Sequence, residues 1–415
     1  MQSAGIYTVT SIINMAIPFL LLPVLTRYMS PSDYGIVAMF GVLVSFVSPF
    51  TGLSVQGAVQ RQYYEREHVH LPTYIANCLL ILVVSSTLAF LLLFIFAEPI
   101  SKVSSFPENW MWIVVIVPIS GFINSIIVAL WQVRIKPYTI GKYQIAQTLL
   151  NIGLSLLLVV SLGMAWEGRI EAQLITAVIF TFIGFVILKK EGWLKFKFNK
   201  QYIRNALCFG VPLVPHALGG VIMTMTDRFF ITSMVGLEAT GLYAVGYMFG
   251  MIICFVESSF NQAYVPWLYE RLKNNDDQVK RNIVKVTYVY FLCIILLALS
   301  VSLIAPWFLT FFVGEKFAGA HVYVFWIAIG YAFSGMYKMV ANYIFFAEKT
   351  HILAWSTLFC GGLNIMFNYI LIKRNGAIGA AQSMCLTFLI FFVMTWVLSA
   401  TVYKMPWLLR RVKTI

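Results

Sequence analysis

Four ionisable residues interrupt long apolar runs of the sequence, where a charge is costly and usually serves a purpose. Asp227 and Arg228 are adjacent, whereas Glu257 and Lys338 lie in two separate runs. A cation at such a depth could hold an anion such as a phosphate, and a carboxylate could take up and release an ion. The structural alternative is that Glu257 and Lys338 pair with each other, and that Asp227 and Arg228 bridge neighbouring helices. The sequence alone leaves both interpretations open.

Asp227 is also predicted to share a helix face with a histidine. His216 and Asp227 are separated by successive steps of three and four residues, which places an imidazole and a carboxylate along one side of a helix. This makes His216, Asp227 and Glu257 the candidates for ion coupling. Arg228 is expected to point about 100° away from Asp227 and not to pair with it, because adjacent helical residues do not face each other.

Amide residues recur on single faces of several apolar runs. Gln147 and Asn151 share one face, and Asn124 and Asn342 lie on two others. Amides suit the hydroxyl groups of sugars, and Trp131 offers a ring on which a sugar could stack. The alternative is that these amides only join helices to one another, as polar residues do in membranes. The candidate ligand-binding residues are Arg228, Lys338, Asn342, Asn124, Gln147 and Asn151.

The elements that must position these residues are membrane-spanning helices. The chain is 60% hydrophobic and 11% charged, with a mean hydropathy of +0.84, whereas soluble domains carry about 25% charged residues. A water-soluble fold is therefore excluded. Runs of about twenty apolar residues can cross a bilayer, and the sequence has about twelve of them. They predict helices near residues 4–26, 34–58, 73–97, 110–132, 143–161, 170–188, 206–232, 242–265, 286–312, 322–346, 352–372 and 378–402.

The placement of positive charge predicts the orientation of the helices. Most of the 29 Lys and Arg residues fall on one side of the membrane when the N-terminus is placed inside. The positive-inside rule therefore predicts that both termini are cytoplasmic. The formal net charge of +13 is then explained by the anionic cytoplasmic leaflet, and nucleic acid is not expected as a partner.

Three short matches recur in the same order in the two halves of the chain. They superpose Gly35 on Gly241, Asn151 on Asn364 and Gly168 on Gly376. We therefore predict an all-α polytopic fold with two six-helix lobes related by pseudo-two-fold symmetry, an arrangement that places a substrate site between the lobes. The N-terminal lobe, a basic cytoplasmic linker and the C-terminal lobe are predicted at residues 1–188, 189–205 and 206–415.

The predicted linker contains an alternation of basic and aromatic residues, Lys195-Phe196-Lys197-Phe198. Such an alternation could lie on the membrane surface, with its rings in lipid and its cations at the headgroups. The alternative, which is the commoner case, is a solvated basic linker between the lobes.

Several motifs of the chain, taken in order, resemble those of a known family. They are Tyr28-Met29-Ser30-Pro31-Ser32-Asp33-Tyr34-Gly35, Asp227-Arg228, Gly241-Leu242-Tyr243, Glu348-Lys349-Thr350, Leu363-Asn364-Ile365 and Gly376-Ala377-Ile378-Gly379. With them the whole chain resembles the polysaccharide (O-antigen, Wzx-type) flippases of the multidrug/oligosaccharidyl-lipid/polysaccharide exporter superfamily. The arginines that lipid II flippases carry early in the first helix have no match here, which lowers lipid II as the substrate.

The resemblance implies transport of a lipid-linked glycan across the bacterial inner membrane. The substrate that it implies is an undecaprenyl-diphosphate-linked oligosaccharide, such as the O-antigen repeat unit of lipopolysaccharide, moved from the cytoplasmic to the periplasmic leaflet. In that role Arg228 and Lys338 would counter the diphosphate. The partners that it implies are this glycan, membrane lipids and other membrane proteins of polysaccharide assembly.

The sequence contains no P-loop, no Rossmann glycine pattern and no HExxH motif. We therefore expect no cofactor, no metal and no enzymatic activity, and we expect an ion gradient to supply the energy. One rival is a multidrug or cation antiporter of the same fold, which would need an acidic lining. A weaker rival is a membrane-embedded glycan polymerase or acyltransferase, which usually carries a large extramembrane loop.

Overall fold

The computed structural model describes residue 19, residues 21–273 and residues 276–408, and of Thr350 it describes the backbone alone. The predicted first helix, near residues 4–26, lies mostly outside the described residues, which are helical at 21–28 (α1).

Helices make up most of the described chain. After α1 they are α2 (Pro31–Val47), α3 (Gln56–Tyr64), α4 (Leu71–Ile95), α5 (Ala97–Ser104), α6 (Ile113–Val133), α7 (Pro137–Ser155), α8 (Ala165–Lys190), α9 (Lys200–Gly210), α10 (Leu213–Met234), α11 (Leu237–Gly250), α12 (Ile252–Leu272), α13 (Asp277–Phe312), α14 (His321–Phe346), α15 (Thr350–Asn375) and α16 (Ile378–Val402). Short 3₁₀ turns, Glu108–Trp110 and Glu315–Ala320, precede α6 and α14, and a π-helical turn, Leu156–Ser161, continues α7.

Ten stretches within the described residues are long and apolar enough to cross a membrane. They are Leu71–Ile95, Glu108–Val133, Pro137–Ser161, Ala165–Lys190, Lys200–Met234, Leu237–Leu272, Asp277–Phe312, Glu315–Phe346, His351–Asn375 and Ile378–Val402. They correspond in order to the third to twelfth predicted helices, and the shorter apolar helix α2 precedes them. The prediction of an all-α, multi-pass membrane protein is confirmed.

The predicted second helix, near 34–58, is interrupted in the structure. Its first part, α2, ends at Val47, and the chain then adopts left-handed backbone angles at Gly52 (φ 79°), Leu53 (φ 49°) and Ser54 (φ 57°) before α3 begins. The hydroxyl of Ser85 on α4 accepts a hydrogen bond from the backbone N–H of Gly52 at 2.8 Å. The buried N–H of Gly52, which has lost its helical partner at the break, is therefore hydrogen-bonded. A hydropathy pattern does not reveal this bond.

Polar residues cap the starts of two helices. Ser30 and Asp33 form a capping box on α2, in which the Ser30 hydroxyl accepts from Asp33 N at 3.1 Å and the Asp33 carboxylate accepts from Ser30 N at 2.8 Å. Asp276 caps α13, whose 36 residues span about 54 Å. The prediction for that helix began at residue 286 because hydropathy marks only the apolar part, whereas the cap, Asp276, lies further toward the N-terminus.

The chain divides into two compact units, Met1–Ser233 and Met234–Ile415. In the first unit, α3, α4, α6 and α9 enclose a core that includes the fully buried Tyr74 and Ile126. In the second unit, α14 lies against α11, α12, α13 and α16. The predicted lobes, 1–188 and 206–415, were defined by repeated sequence and not by compactness, so that division stays a prediction.

Candidate functional site

Glu257 on α12 and Lys338 on α14 form a buried ion pair in the second unit. Lys338 Nζ lies 2.7 Å from Glu257 Oε1 and also donates to the hydroxyl of Ser258 at 3.2 Å. The Glu257 side chain is fully buried, whereas the Lys338 side chain keeps 32% of its surface exposed. The pairing that the sequence left open is therefore present, and its cation is the accessible partner.

A glycine one turn before Lys338 allows this close approach of the two helices. A Cβ on Gly335 would lie 3.0 Å from Glu257 Cβ and 2.6 Å from the hydroxyl of Tyr290 on α13. Any larger residue would therefore have to move the Tyr290 side chain and would crowd the Cβ of Glu257. Small residues let helices approach closely in membranes, and Gly335 has that role at this site.

The second carboxylate oxygen of Glu257 is the least satisfied atom of the pair. Glu257 Oε2 is buried and has no hydrogen-bond partner among the described residues. A buried carboxylate is stable only when it is well paired and hydrogen-bonded. Glu257 therefore depends strongly on Lys338, and loss of that contact would favour a neutral carboxyl group.

An amide pair extends the polar contact by one helical turn. Asn342 Nδ2 on α14 donates to Asn261 Oδ1 on α12 at 3.1 Å, and Asn342 is 5% exposed. We call the set Glu257, Ser258, Asn261, Lys338 and Asn342 the polar seam. It places two of the predicted ligand-binding residues and one predicted coupling residue along one helix pair.

Asp227 and Arg228 lie on α10 in the first unit. They contact each other, so the prediction that they do not pair is wrong. Arg228 Nη1 lies 3.1 Å from Asp227 Oδ1 and also donates to the carbonyl of Thr224 at 3.0 Å. Both side chains are nearly buried. The Cα–Cβ bonds of the two residues point apart, but the long arginine side chain folds back along its own helix far enough to reach the carboxylate.

His216 and Asp227 are not brought together, although both lie on α10. They are eleven residues apart in the sequence, which corresponds to about 16 Å along a helix. His216 is exposed, whereas Asp227 is buried. A coupling role for His216 therefore has no geometric support from Asp227.

The sequence analysis missed Arg169, at the start of α8. Its Nη1 donates to Asn151 Oδ1 and to the Ser155 hydroxyl, each at 2.7 Å. The predicted amide face of α7 is thus occupied by an arginine from the next helix, and Gln147 lies half-buried one turn before Asn151. In the sequence, Arg169 directly follows Gly168, which begins a repeated segment located after the amide face of α7. This position in a repeat could have indicated Arg169.

Asn124 and Trp131, both on α6, are engaged within the first unit. Asn124 Oδ1 accepts from the Tyr143 hydroxyl at 2.5 Å. Trp131 is 4% exposed, packs edge-on against the Tyr143 ring and donates from Nε1 to Glu191 at 3.1 Å. The suggestion that Trp131 offers a face for a sugar is therefore wrong, because neighbouring side chains cover the ring.

Glu191, just after α8, collects three donors at the end of these helices. Burial disfavours its charged form, but hydrogen bonds from Trp131 and Trp193 and the charge and hydrogen bond of Arg134 outweigh burial, so the pKa of Glu191 lies below its ordinary value. Glu191 is therefore ionised at neutral pH and joins the end of α6 to the chain after α8.

Comparison with known sequences gives two family matches. The model of the family described as "Polysaccharide biosynthesis protein" matches residues 1–272, and the model of the family described as MatE matches residues 212–370. Two relatives come from Haemophilus influenzae. An "Uncharacterized membrane protein" is 25% identical over 374 residues, 88% of this chain and 87% of the relative. The "Lsg locus putative protein 1" is 24% identical over 357 residues, 85% of this chain and 86% of the relative.

Solved structures share the fold. The lipid II flippase MurJ, in an inward closed conformation, superposes with a TM-score of 0.75 at 14% identity, covering 94% of this chain and 86% of that one. An inward-facing multidrug resistance MATE family transporter of the MOP superfamily superposes with a TM-score of 0.70 at 13% identity, covering 94% and 97%. These likenesses concern the fold alone. Because the first family match spans well over half of the sequence, the chain belongs to the polysaccharide biosynthesis protein family.

Proposed function

We propose that the chain is a flippase for an undecaprenyl-diphosphate-linked oligosaccharide, a repeat unit of O-antigen or of a similar surface polysaccharide. It moves this lipid from the cytoplasmic to the periplasmic leaflet of a bacterial inner membrane by alternating access, with both termini cytoplasmic. Membership of the family supports a role in glycan assembly. The observation that carries the proposal is the buried pair of Glu257 and Lys338 in the polar seam.

Lys338 is suited to receive the diphosphate because its ammonium group is only partly enclosed. One third of the side chain is exposed, so a second anion can approach while Glu257 holds the other side. Asn342, one turn further along α14, is itself buried, but its partner Asn261 is half-buried and can exchange their hydrogen bond for one to a sugar or phosphate oxygen. A cation at membrane depth compensates the cost of bringing an anion into a low dielectric.

Binding of the diphosphate to Lys338 changes the state of Glu257. When the ammonium turns to the diphosphate, the carboxylate loses this charged partner and takes up a proton, since an unpaired buried charge is very costly. When the substrate leaves, the proton leaves too and the ion pair forms again. Substrate and proton therefore occupy the polar seam together.

This exchange determines whether a pH gradient across the membrane speeds or slows export. A proton that binds with the substrate also leaves with it, so an acidic periplasmic side slows export and an acidic cytoplasmic side speeds it. The diphosphate with one added proton still carries net negative charge, and an inside-negative membrane potential drives such a load outward. The energy source is then the membrane potential, and Glu257 reduces the charge that has to cross.

A cation exporter is the second candidate, because the MatE family match covers the polar seam. A carboxylate that binds a cationic drug has to be available to it. Here Lys338 already neutralises Glu257, and the ammonium is the exposed member of the pair. The geometry therefore favours an anionic ligand.

The test is a translocation assay with a defined undecaprenyl-diphosphate glycan in proteoliposomes. We expect the wild type to move the glycan headgroup across the bilayer, and we expect imposed pH gradients to change the rate with the sign given above. Glu257→Gln, which imitates the protonated carboxyl group, should keep translocation and lose its dependence on the gradient. Stimulation by an outside-acid gradient, or transport of organic cations in place of the glycan, would overturn the proposal.

A further inference from the structure

The segment between α8 and α9, residues 193–199, is fixed to the membrane helix α4. We call this segment the linker strip. Three hydrogen bonds hold its backbone: Lys195 N to the Pro72 carbonyl (3.2 Å), Asn77 Nδ2 to the Lys197 carbonyl (2.9 Å) and Asn199 N to Asn77 Oδ1 (3.0 Å). The Asn199 side chain then caps α9. The linker strip is therefore ordered at both ends and is not a freely solvated linker.

The pattern of these bonds gives the linker strip two different faces. All three involve odd-numbered residues, as expected for an extended chain that pairs along one edge. Side chains of successive residues in an extended chain point to opposite faces. Phe196 and Phe198 therefore share one face, and their side chains are 78% and 70% exposed. Lys195 and Lys197 occupy the other face.

The depth of the linker strip places the two rings near the edge of the hydrocarbon layer. The span Leu71–Ile95 has 25 residues, about 37 Å of helix against a hydrocarbon core of about 30 Å. Asn77 lies six residues into this span, about 9 Å from its start. With the span centred on the bilayer, about 3 to 4 Å of helix extends beyond the hydrocarbon core at each end, so Pro72 lies in the headgroup layer and Asn77 lies about 5 Å inside the edge of the core. The linker strip then lies close to the acyl boundary, where exposed aromatic rings are stable.

The stretch of sequence that contains the two rings is strongly basic. Between residues 189 and 205 there are six Lys and Arg residues and a single acidic residue, Glu191. Arg134, Trp131 and Trp193 already engage that carboxylate, so it does not neutralise the lysines of the linker strip. Basic clusters beside a membrane helix attract anionic lipid headgroups.

We propose that the linker strip is a pre-ordered binding surface for anionic lipid headgroups. Phe196 and Phe198 enter the acyl boundary, and Lys195 and Lys197 extend their long side chains to the lipid phosphates. Asn77 is the positioning residue, because its amide holds the backbone on both sides of Phe198. This surface does not depend on the flippase proposal, since it lies on the first unit and uses none of the residues of the polar seam.

The test uses the full chain in nanodiscs of phosphatidylglycerol and phosphatidylcholine. A small fluorescent amino acid is placed at positions 195, 196, 197 and 198, one at a time, and is quenched by lipids that carry a nitroxide near the top of the acyl chain. We expect strong quenching at 196 and 198 and weak quenching at 195 and 197. Equal quenching at all four positions, or none at 196 and 198, would overturn the proposal.

The preference for anionic lipid is tested by placing the nitroxide on either phosphatidylglycerol or phosphatidylcholine in a mixed bilayer. We expect quenching at 196 by labelled phosphatidylglycerol to exceed that by labelled phosphatidylcholine, and Lys195→Gln with Lys197→Gln to remove the difference. The matched control, Lys316→Gln with Lys373→Gln, removes two exposed lysines elsewhere and should leave it unchanged. Equal quenching by the two lipids in the wild type would contradict an anionic partner.

The role of Asn77 gives an independent check on the geometry. In Asn77→Ala the linker strip loses two of its three backbone hydrogen bonds, so the difference between even and odd positions should disappear while the protein remains in the membrane. A pattern that persists in Asn77→Ala would show that Asn77 does not position the strip. Should this variant fail to fold, the label series in the wild-type background still decides the proposal.

Discussion

Two buried ion pairs, one in each unit, differ in what they connect. The contact between Asp227 and Arg228 joins neighbours on α10, whereas the contact between Glu257 and Lys338 joins α12 to α14. The first contact orients one side chain on its own helix. The second holds two helices together and depends on Gly335 for its close approach. A ligand that draws Lys338 away from Glu257 therefore breaks a contact between α12 and α14. A ligand that draws Arg228 away from Asp227 breaks a contact within α10.

Removal of Lys338 alone should have the largest effect on stability. Lys338→Ala leaves Glu257 fully buried without its charged partner, and breaking one half of a buried pair costs about 3–5 kcal/mol. Replacing both charges, in Glu257→Gln with Lys338→Met, should restore most of the free energy of unfolding. Thermal and chemical unfolding in nanodiscs measures both variants. A single variant as stable as the wild type would show that the pair does not hold the two helices.

Substitution of Gly335 should have the next largest effect. The new Cβ in Gly335→Ala would lie 2.6 Å from the Tyr290 hydroxyl, and such overpacking usually costs about 1–3 kcal/mol. Tyr290→Phe removes that hydroxyl, so the double variant should recover part of the loss. Gly362→Ala on α15, in the same unit, is a suitable control, because no atom lies within 4 Å of its Cβ. Equal losses in Gly335→Ala and Gly362→Ala would contradict the special role of Gly335.

Double-mutant cycles compare the two pairs directly. We expect a coupling free energy of about 3 kcal/mol between Glu257 and Lys338 and of about 1 kcal/mol between Asp227 and Arg228. The reason for the difference is that Arg228 Nη1 also bonds the Thr224 carbonyl on its own helix. The cycles use Gln and Asn in place of the acids and Met in place of the bases. A larger coupling for the pair on α10 would reverse the comparison.

The exposed contact between Arg134 and Glu191 should give the smallest effect, visible only at low pH. The pKa of Glu191 is lowered in the folded protein, so its contribution is present above the ordinary carboxyl pKa and is lost as the pH falls through the folded pKa. Acid should therefore destabilise the wild type slightly more than Glu191→Gln. Unfolding temperatures measured from pH 7 down to pH 3 test this. Parallel curves for the two proteins would count against the lowered pKa.

The sequence was sufficient to predict ten membrane-spanning stretches in their order, and it singled out Glu257 and Lys338 without deciding whether they pair. Apolar runs are local and long, so the order of the spans followed directly from them. Glu257 and Lys338 were recognisable because a charge inside such a run stands out. Their contact was only one of two open possibilities, since the choice depends on how α12 and α14 pack.

Side-chain reach and helix contacts explain what the sequence did not predict. Arg228 bends back to Asp227 because its side chain is long, which the direction of its Cα–Cβ bond does not show. Arg169 was missed because its partners, Asn151 and Ser155, belong to the preceding helix. Trp131 was misread because only the packed structure shows that Tyr143 and Glu191 cover it.

The most direct test of the account is the translocation rate of the variant that lacks both charges, Glu257→Gln with Lys338→Met. This variant is expected to fold, so lost transport cannot be ascribed to lost protein. We predict that its initial rate falls at least about tenfold, equivalent to about 1.4 kcal/mol, while the control Arg134→Gln with Glu191→Gln stays close to the wild type. A folded double variant that moves the undecaprenyl-diphosphate glycan at the wild-type rate would contradict the assignment of Lys338 as the diphosphate site.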